Sequence, residues 1–373
     1  MPVDPVNPVP AAPPATRMAA AAVRGLLRLP RRTKRALAGP AVHRDGNELD
    51  LDAQLLLRIT RTLPRPEPNP VTLRTQARRM AAIGAGRRAP VRVDDCTVAG
   101  AAGPLRARLY DPGAANALLV YFHGGGWVIG DLDTHDALCR TLAYTAGIRV
   151  VAVDYRLAPE HPYPAAIDDA AAAFRDIVGR ADEFGVAPER VAVGGDSAGG
   201  HLAAVLCQRM RRDSGPAPLL QLLIYPPTDL TGKAESRRTF AEGFALTRTD
   251  IDFFDRCFLP PDLDRTRPDV SPLRAETTAG LPRAVVITAG FDPLRDEGEA
   301  YANRLRTDGV PVALRRFDGY MHGFVNNALA FGPAVHEVAT LLADALSASG
   351  GSSTDPGTDS GRDRAATGPS NSP

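Results

Sequence analysis

Gly195-Asp196-Ser197-Ala198-Gly199 separates a short apolar run, Arg190-Val191-Ala192-Val193-Gly194, from an Ala- and Leu-rich run between Gly200 and Met210. The pattern predicts a strand, a sharp turn and a helix, with Ser197 at the apex. So tight a turn strains the serine backbone and holds its hydroxyl clear of the sheet. The neighbours two places away must be almost free of side chain, and Gly195 and Gly199 meet that need. The following helix aims free N–H groups at the same point, which suits a developing negative charge. Five residues alone are equally compatible with a glycine-rich turn that happens to hold a serine. The rest of the chain decides.

The 373 residues are 44% hydrophobic and 23% charged, enough for one large α/β domain with appendages. A net charge of +1 argues against a dedicated nucleic-acid binder. Cys96, Cys139, Cys207 and Cys257 are far apart with no CxxC pair, so neither a zinc site nor a disulfide framework is expected. Reduced thiols in the cytoplasm are the default. No apolar run approaches the length of a membrane span.

Residues 1–16 are rich in Pro and Ala and read as a disordered tail. Residues 17–35 carry seven basic side chains and no acid, without the pattern of a secretory signal. Two readings stay open for this stretch: a solvated helix resting on the domain, or a basic helix in peripheral contact with an anionic membrane. Asp50–Leu63 and Val71–Gly84 have helical spacing, broken between them by Pro64–Pro70. The helices of the segment 17–90 are too few to form a core of their own and should pack over the domain 91–348. There, Val91–Val98 and Leu105–Tyr110 alternate like an edge hairpin. Ala117–Phe122, Arg149–Asp154, Arg190–Gly194, Leu219–Tyr225, Arg283–Ala289 and Val312–Phe317 read as strands. Helical patterns at Ala165–Phe184, Arg295–Thr307 and Pro333–Leu346 fall between or after them. This alternation predicts an α/β fold with a mostly parallel sheet covered on both faces. The stretch 226–268 shows no strand pattern but five phenylalanines, and reads as a helical insertion over the carboxyl edge of the sheet. Residues 349–373 read as a second disordered tail.

A serine hydroxyl needs a base, and the base an orienting carboxylate. With the serine on a strand-turn-helix, the order is Ser, then Asp or Glu, then His. Only His322 and His336 follow the later strands. His336 falls inside a helical pattern; His322 lies in a loop just past Val312–Phe317. Asp292 directly follows the strand Arg283–Ala289, at the same sheet edge. Its rivals Asp296 and Glu297 sit in the first turn of the next helix, where acids favour the helix dipole. His123-Gly124-Gly125-Gly126-Trp127 ends the strand Ala117–Phe122, and its side-chain-free amides could approach a tetrahedral oxyanion, with the amide of Ala198 as a further donor.

HGGGW at 123–127, YRLAPEHPYPA at 155–165, GDSAGG at 195–200, DPLRDEG at 292–298 and HGF at 322–324 resemble the motifs of the hormone-sensitive-lipase-like (family IV type) bacterial α/β-hydrolase esterases. The likeness covers roughly residues 90–348, and the N-terminal segment resembles that family's cap helices less strongly. It implies an α/β-hydrolase fold, with Ser197 as nucleophile, Asp292 as acid and His322 as base. It makes the amides of Gly125, Gly126 and Ala198 the oxyanion hole. It also implies short- to medium-chain acyl esters as substrates, no metal or organic cofactor, and pairing of two copies through a sheet edge, where the last strand could serve. Arg156 and Glu160 read as ties between a strand end and its loop, and His123 as a loop organiser. Trp127 could wall a substrate pocket or simply pack. Other readings remain: an amide or formamide hydrolase with the same triad, a lipid-surface lipase, and a non-catalytic ligand receptor.

Overall fold

The computed structural model describes residues 13–61 and 69–348. The expected tails 1–16 and 349–373 lie outside the described residues, except that helix α1 (Pro14–Leu27) begins within the first of them. Eight strands form one sheet: β1 (Arg92–Gly100), β2 (Gly103–Asp111), β3 (Leu118–Phe122), β4 (Arg149–Val153), β5 (Val191–Asp196), β6 (Gln221–Ile224), β7 (Ala284–Phe291) and β8 (Val312–Met321). Their order is β8-β7-β6-β5-β3-β4-β2-β1. β2 runs antiparallel to β1 and β4, and every other pair is parallel.

The central strands are apolar throughout because both faces are covered. Leu118, Val120 and Phe122 of β3 join Val191 and Val193 in one core, beneath α6 (Ala165–Gly179), α7 (Ala198–Arg212) and α10 (Arg295–Thr307). The alternate residues Leu119, Tyr121 and Ala192 face a second core under α5 (Asp136–Ala146) and α11 (Ala328–Ser347). Nothing in the sequence reading anticipated α5. Its Leu138 and Leu142 have the right spacing, and Gly147 closes it in a left-handed conformation. The long apolar α11 is such a sheet-covering helix, packed on α5.

The basic stretch 17–35 is two helices rather than one, α1 and α2 (Arg31–Ala38), divided at Leu29-Pro30. Asp50 caps α3 (Leu51–Thr60) by accepting the amides of Asp52 and Ala53 at 2.8 and 3.0 Å, and Asn69 caps α4 (Pro70–Gly84). The cluster these helices own is small: Ala38, Leu51 and Leu55, with Leu26 against it. Leu49, Ala53 and Leu57 instead join the second sheet core. In the insertion, α8 (Ser236–Thr239) and α9 (Arg248–Phe258) are helical and the remainder is largely irregular.

Asp169 on α6 fastens several segments to one another. Its buried carboxylate accepts Nε and Nη2 of Arg156 at 2.8 Å, the Arg156 amide at 3.1 Å and the Ala101 amide of the β1–β2 turn at 3.0 Å. Arg156 thus ties the end of β4, as expected. Glu160 does something else: it takes both Nη atoms of Arg74 on α4, at 2.8 and 2.7 Å, and so fastens the N-terminal helices to the domain. A local reading missed this pair because its members are 86 residues apart. Asp169→Ala would strand a guanidinium and two amides. It should lower stability by about 3–5 kcal/mol in urea denaturation, and a loss under about 1 kcal/mol would mean the contacts are dispensable.

Candidate active site

β5 passes directly into α7 at Ser197, whose φ of +52° and ψ of −121° hold it in the strained turn that the flanking glycines imply. A Cβ at Gly195 or Gly199 would collide with the Phe122 carbonyl of the adjacent strand, so both positions must be glycine. The Ser197 amide is anchored on the Ile224 carbonyl at 2.8 Å. β7 ends at Phe291, immediately before Asp292, and β8 ends at Met321, immediately before His322. Parallel register places all three side chains at one edge.

There they form a continuous relay. His322 Nε2 lies 2.9 Å from Ser197 Oγ, and His322 Nδ1 lies 2.7 Å from Asp292 Oδ2. Asp292 is fully buried, and its other oxygen accepts the Leu294 amide at 2.8 Å. The rivals Asp296 and Glu297 turn away: Asp296 accepts the Ser236 amide and Glu297 takes Arg237 at 2.7 and 3.1 Å. They brace the insertion, a task beyond serving the helix dipole. His336 is exposed on α11, with Nδ1 beside the Thr145 hydroxyl.

The loop after β3 brings its amides to the same edge. Gly125 and Gly126 have φ of +123° and +58°. Side chains there would meet the Ile129 carbonyl and the Phe254 ring. Neither amide donates to another group among the described residues. The Ala198 amide opens α7 and so has no intrahelical acceptor. His123 packs face to face on Tyr155 at 4.4 Å, with Nδ1 donating to the Gly124 carbonyl at 2.8 Å. Burial, with His135 adding to it, pushes its pKa down to about 4, so it is neutral at physiological pH and organises the loop.

Asp196, inside the turn, was not singled out from sequence. Its carboxylate is buried and accepts the Tyr121 hydroxyl at 2.7 Å, the Gly124 amide at 2.9 Å, the Asn326 amide at 3.0 Å and the Tyr225 hydroxyl at 3.3 Å, while His135 Nε2 lies 3.1 Å away. Burial alone would raise its pKa. His135 and the Tyr121 and Asn326 donors outweigh that and hold it below the usual carboxylate range. Nothing local signals these partners, which lie 29 to 130 residues away along the chain.

Above the relay lies a cavity of about 530 Å³. Leu73, Ala77 and Met80 of α4 line one side of it, and Leu246, Ile251 and Phe254 of the insertion another. Trp127 is packed and also borders the cavity. It is only 4% exposed, stacked 4.3 Å from Phe258, and it contributes to the cavity wall.

A serine, a histidine and an aspartate relayed across the carboxyl edge of such a sheet are the arrangement of a serine hydrolase. Comparison with known proteins agrees. The α/β-hydrolase fold family matches residues 119–326. Carboxylic ester hydrolase LipN of Mycobacterium tuberculosis is 48% identical over 311 residues, spanning 80% of this chain and 83% of its own. The ethyl acetate hydrolase of Pseudomonas putida is 40% identical over 59% of this chain and 71% of its own. The solved hyperthermophilic esterase of Pyrobaculum calidifontis superposes with a TM-score of 0.75 at 39% identity, covering 79% of this chain and 98% of that one. The chain belongs to the hormone-sensitive-lipase-like family of α/β-hydrolase carboxylesterases.

Asp196→Asn sets an amide group among donors that need an acceptor and loosens the Gly124 loop. kcat should fall about 10²-fold, approaching the cost of one oxyanion donor, with KM little changed; an unchanged kcat would show that the loop holds without the carboxylate. The stability from its depressed pKa is present above the unfolded-chain value of about 3.9 and lost as pH falls through the lower folded value. The parent's stability advantage over this variant should therefore shrink in acid.

Proposed function

We propose that Ser197, His322 and Asp292 hydrolyse carboxylic esters through an acyl-enzyme. The observation that carries this is the unbroken hydrogen-bond relay of 2.9 and 2.7 Å opening into a mainly apolar cavity. As Ser197 Oγ attacks the ester carbonyl, His322 Nε2 takes the serine proton. Asp292 holds Nδ1–H and thereby the tautomer, and stabilises the imidazolium. The carbonyl oxygen becomes an oxyanion held by the amides of Gly125, Gly126 and Ala198. His322 then returns its proton to the leaving alcohol. A water deprotonated by the same nitrogen attacks the acyl-serine, and collapse releases the carboxylic acid and restores Ser197.

The substrates are small esters with short to medium acyl chains. In support, the cavity is of small-molecule size, and the Phe254 ring and α4 limit its extent. A relative is also named for hydrolysing ethyl acetate. A cytoplasmic setting fits the four cysteines, all free thiols. A homodimer through β8 fits that strand's place at the end of the sheet order.

Hydrolysis of p-nitrophenyl esters from acetyl to palmitoyl tests the reading. Activity should peak at short or medium chains, and Ser197→Ala should lower kcat by about 10⁴-fold or more. A peak at palmitate would overturn the chain-length assignment. Folded protein inert on every ester would overturn ester hydrolysis itself and point to amides.

A further inference from the structure

The N-terminal helices carry apolar and basic side chains that face solvent. Of the six large apolar or aromatic side chains left exposed among the described residues, five lie on α1–α4: Met18, Leu37, Ile59, Val71 and Met80. Met18 is 73% exposed and Val71 67%. The same region holds the strongest charge imbalance in the chain, since no acid occurs between Pro13 and Arg44.

Its basic residues divide into two sets. Lys34 binds Asp52 at 2.5 Å, and Arg35 binds Glu48 and Gln54 at 3.0 Å, locking α2 onto α3. Arg17, Arg24, Arg28, Arg31 and Arg32 are exposed and make no ion pair among the described residues. Elsewhere arginines are heavily engaged with carboxylates, as Arg108, Arg156, Arg237 and Arg316 illustrate.

Geometry gathers three of this unpaired set on one face of α1. Arg17, Arg24 and Arg28 fall within about 40° of one another around a 3.6-residue helix. The exposed arc of α1 continues through Ala21, Gly25 and Ala22, small enough to let the helix lie close against a surface, with Met18 projecting among them. α1 packs on α4, and α4 roofs the active-site cavity, where Met80 both lines the cavity and remains half exposed.

We propose that the outer face of α1 and α2 docks on an anionic membrane surface, with the roof of the catalytic cavity held beside the bilayer. Unpaired guanidinium groups meet anionic headgroups, and Met18 and Leu37 enter the headgroup boundary. Interleaved apolar side chains favour a lipid interface over nucleic acid, which would be met by charge alone. The use of such docking, access to esters dissolved in or leaving the membrane, rests on the ester-hydrolase reading; the binding itself does not.

The test is co-sedimentation of the full chain with phosphatidylcholine vesicles, with and without phosphatidylglycerol, at low and high salt. Binding is expected only with phosphatidylglycerol, and high salt should weaken it at least about tenfold. Replacing Arg17, Arg24, Arg28, Arg31 and Arg32 together by Gln should abolish it, and Met18→Ser with Leu37→Ser should weaken it at unchanged charge. Turnover of soluble p-nitrophenyl acetate should be unaltered in both variants, which shows them folded and keeps this test separate from that of the chemistry. Absence of vesicle binding by the parent chain would overturn the proposal. So would full binding by the Gln variant, or binding to a short DNA duplex as tight as to vesicles.

Discussion

One buried carboxylate sets the geometry on which the active edge depends. Asp196 draws on β3 through Tyr121, on the glycine loop through the Gly124 amide, on the end of β6 through Tyr225 and on the segment after His322 through Asn326. An ionised carboxylate out of water is costly unless its lone pairs are filled. Each donor is therefore held to a fixed distance from a point one residue before Ser197. The glycine loop after β3 and the histidine loop are not placed on the serine independently; both are referred to the same negative charge. The strained backbone of Ser197 persists because this network, together with the collision limits at Gly195 and Gly199, over-determines it.

The roof is attached on different terms. α4 is held to the domain by polar contacts at its flank. Arg74 reaches Glu160 and the carbonyls of Val128 and Ala158, and Arg78 pairs with Asp131. Glu160 is pulled down to about 2, mainly by its hydrogen bonds to Arg74, although it is largely solvated. Exposed pairs of this kind add little net stability and are weakened by salt. The insertion is fixed more firmly, through the buried Arg237–Glu297 pair and the capping box of Thr247 and Asp250. The two halves of the cavity thus differ in how they are secured, the α4 side by surface electrostatics and the insertion by buried charge.

Much of this was legible in the chain. The strand-turn-helix around Ser197, the strand ends before Asp292 and His322 and the triple glycine after β3 are local patterns, and local patterns survive translation into structure. The choice of Asp292 over Asp296 and Glu297 also followed from a local fact, position at a strand end rather than in a helix. What stayed hidden was pairwise and distant. Glu160 could not be matched with Arg74, nor Glu297 with Arg237, because spacing along a chain carries no record of contacts across the fold. α5 was passed over because Thr141, Tyr144 and Thr145 dilute its helical pattern. The break between α1 and α2 was readable from Pro30 and was not used.

The relay between Ser197 and His322 closes a loop of 125 residues. The residues of the active edge run from the glycine loop to the segment after β8, so they draw on the sheet from β3 onward. A ribosome emits Ser197 long before His322, and His322 reaches it only when β8 has paired with β7. Until then the Ser197 hydroxyl lacks its His322 neighbour. The hydrolytic power of this protein is consequently a property of the finished sheet. Because His322 follows β8 directly, separating that strand from β7 would part His322 from Ser197.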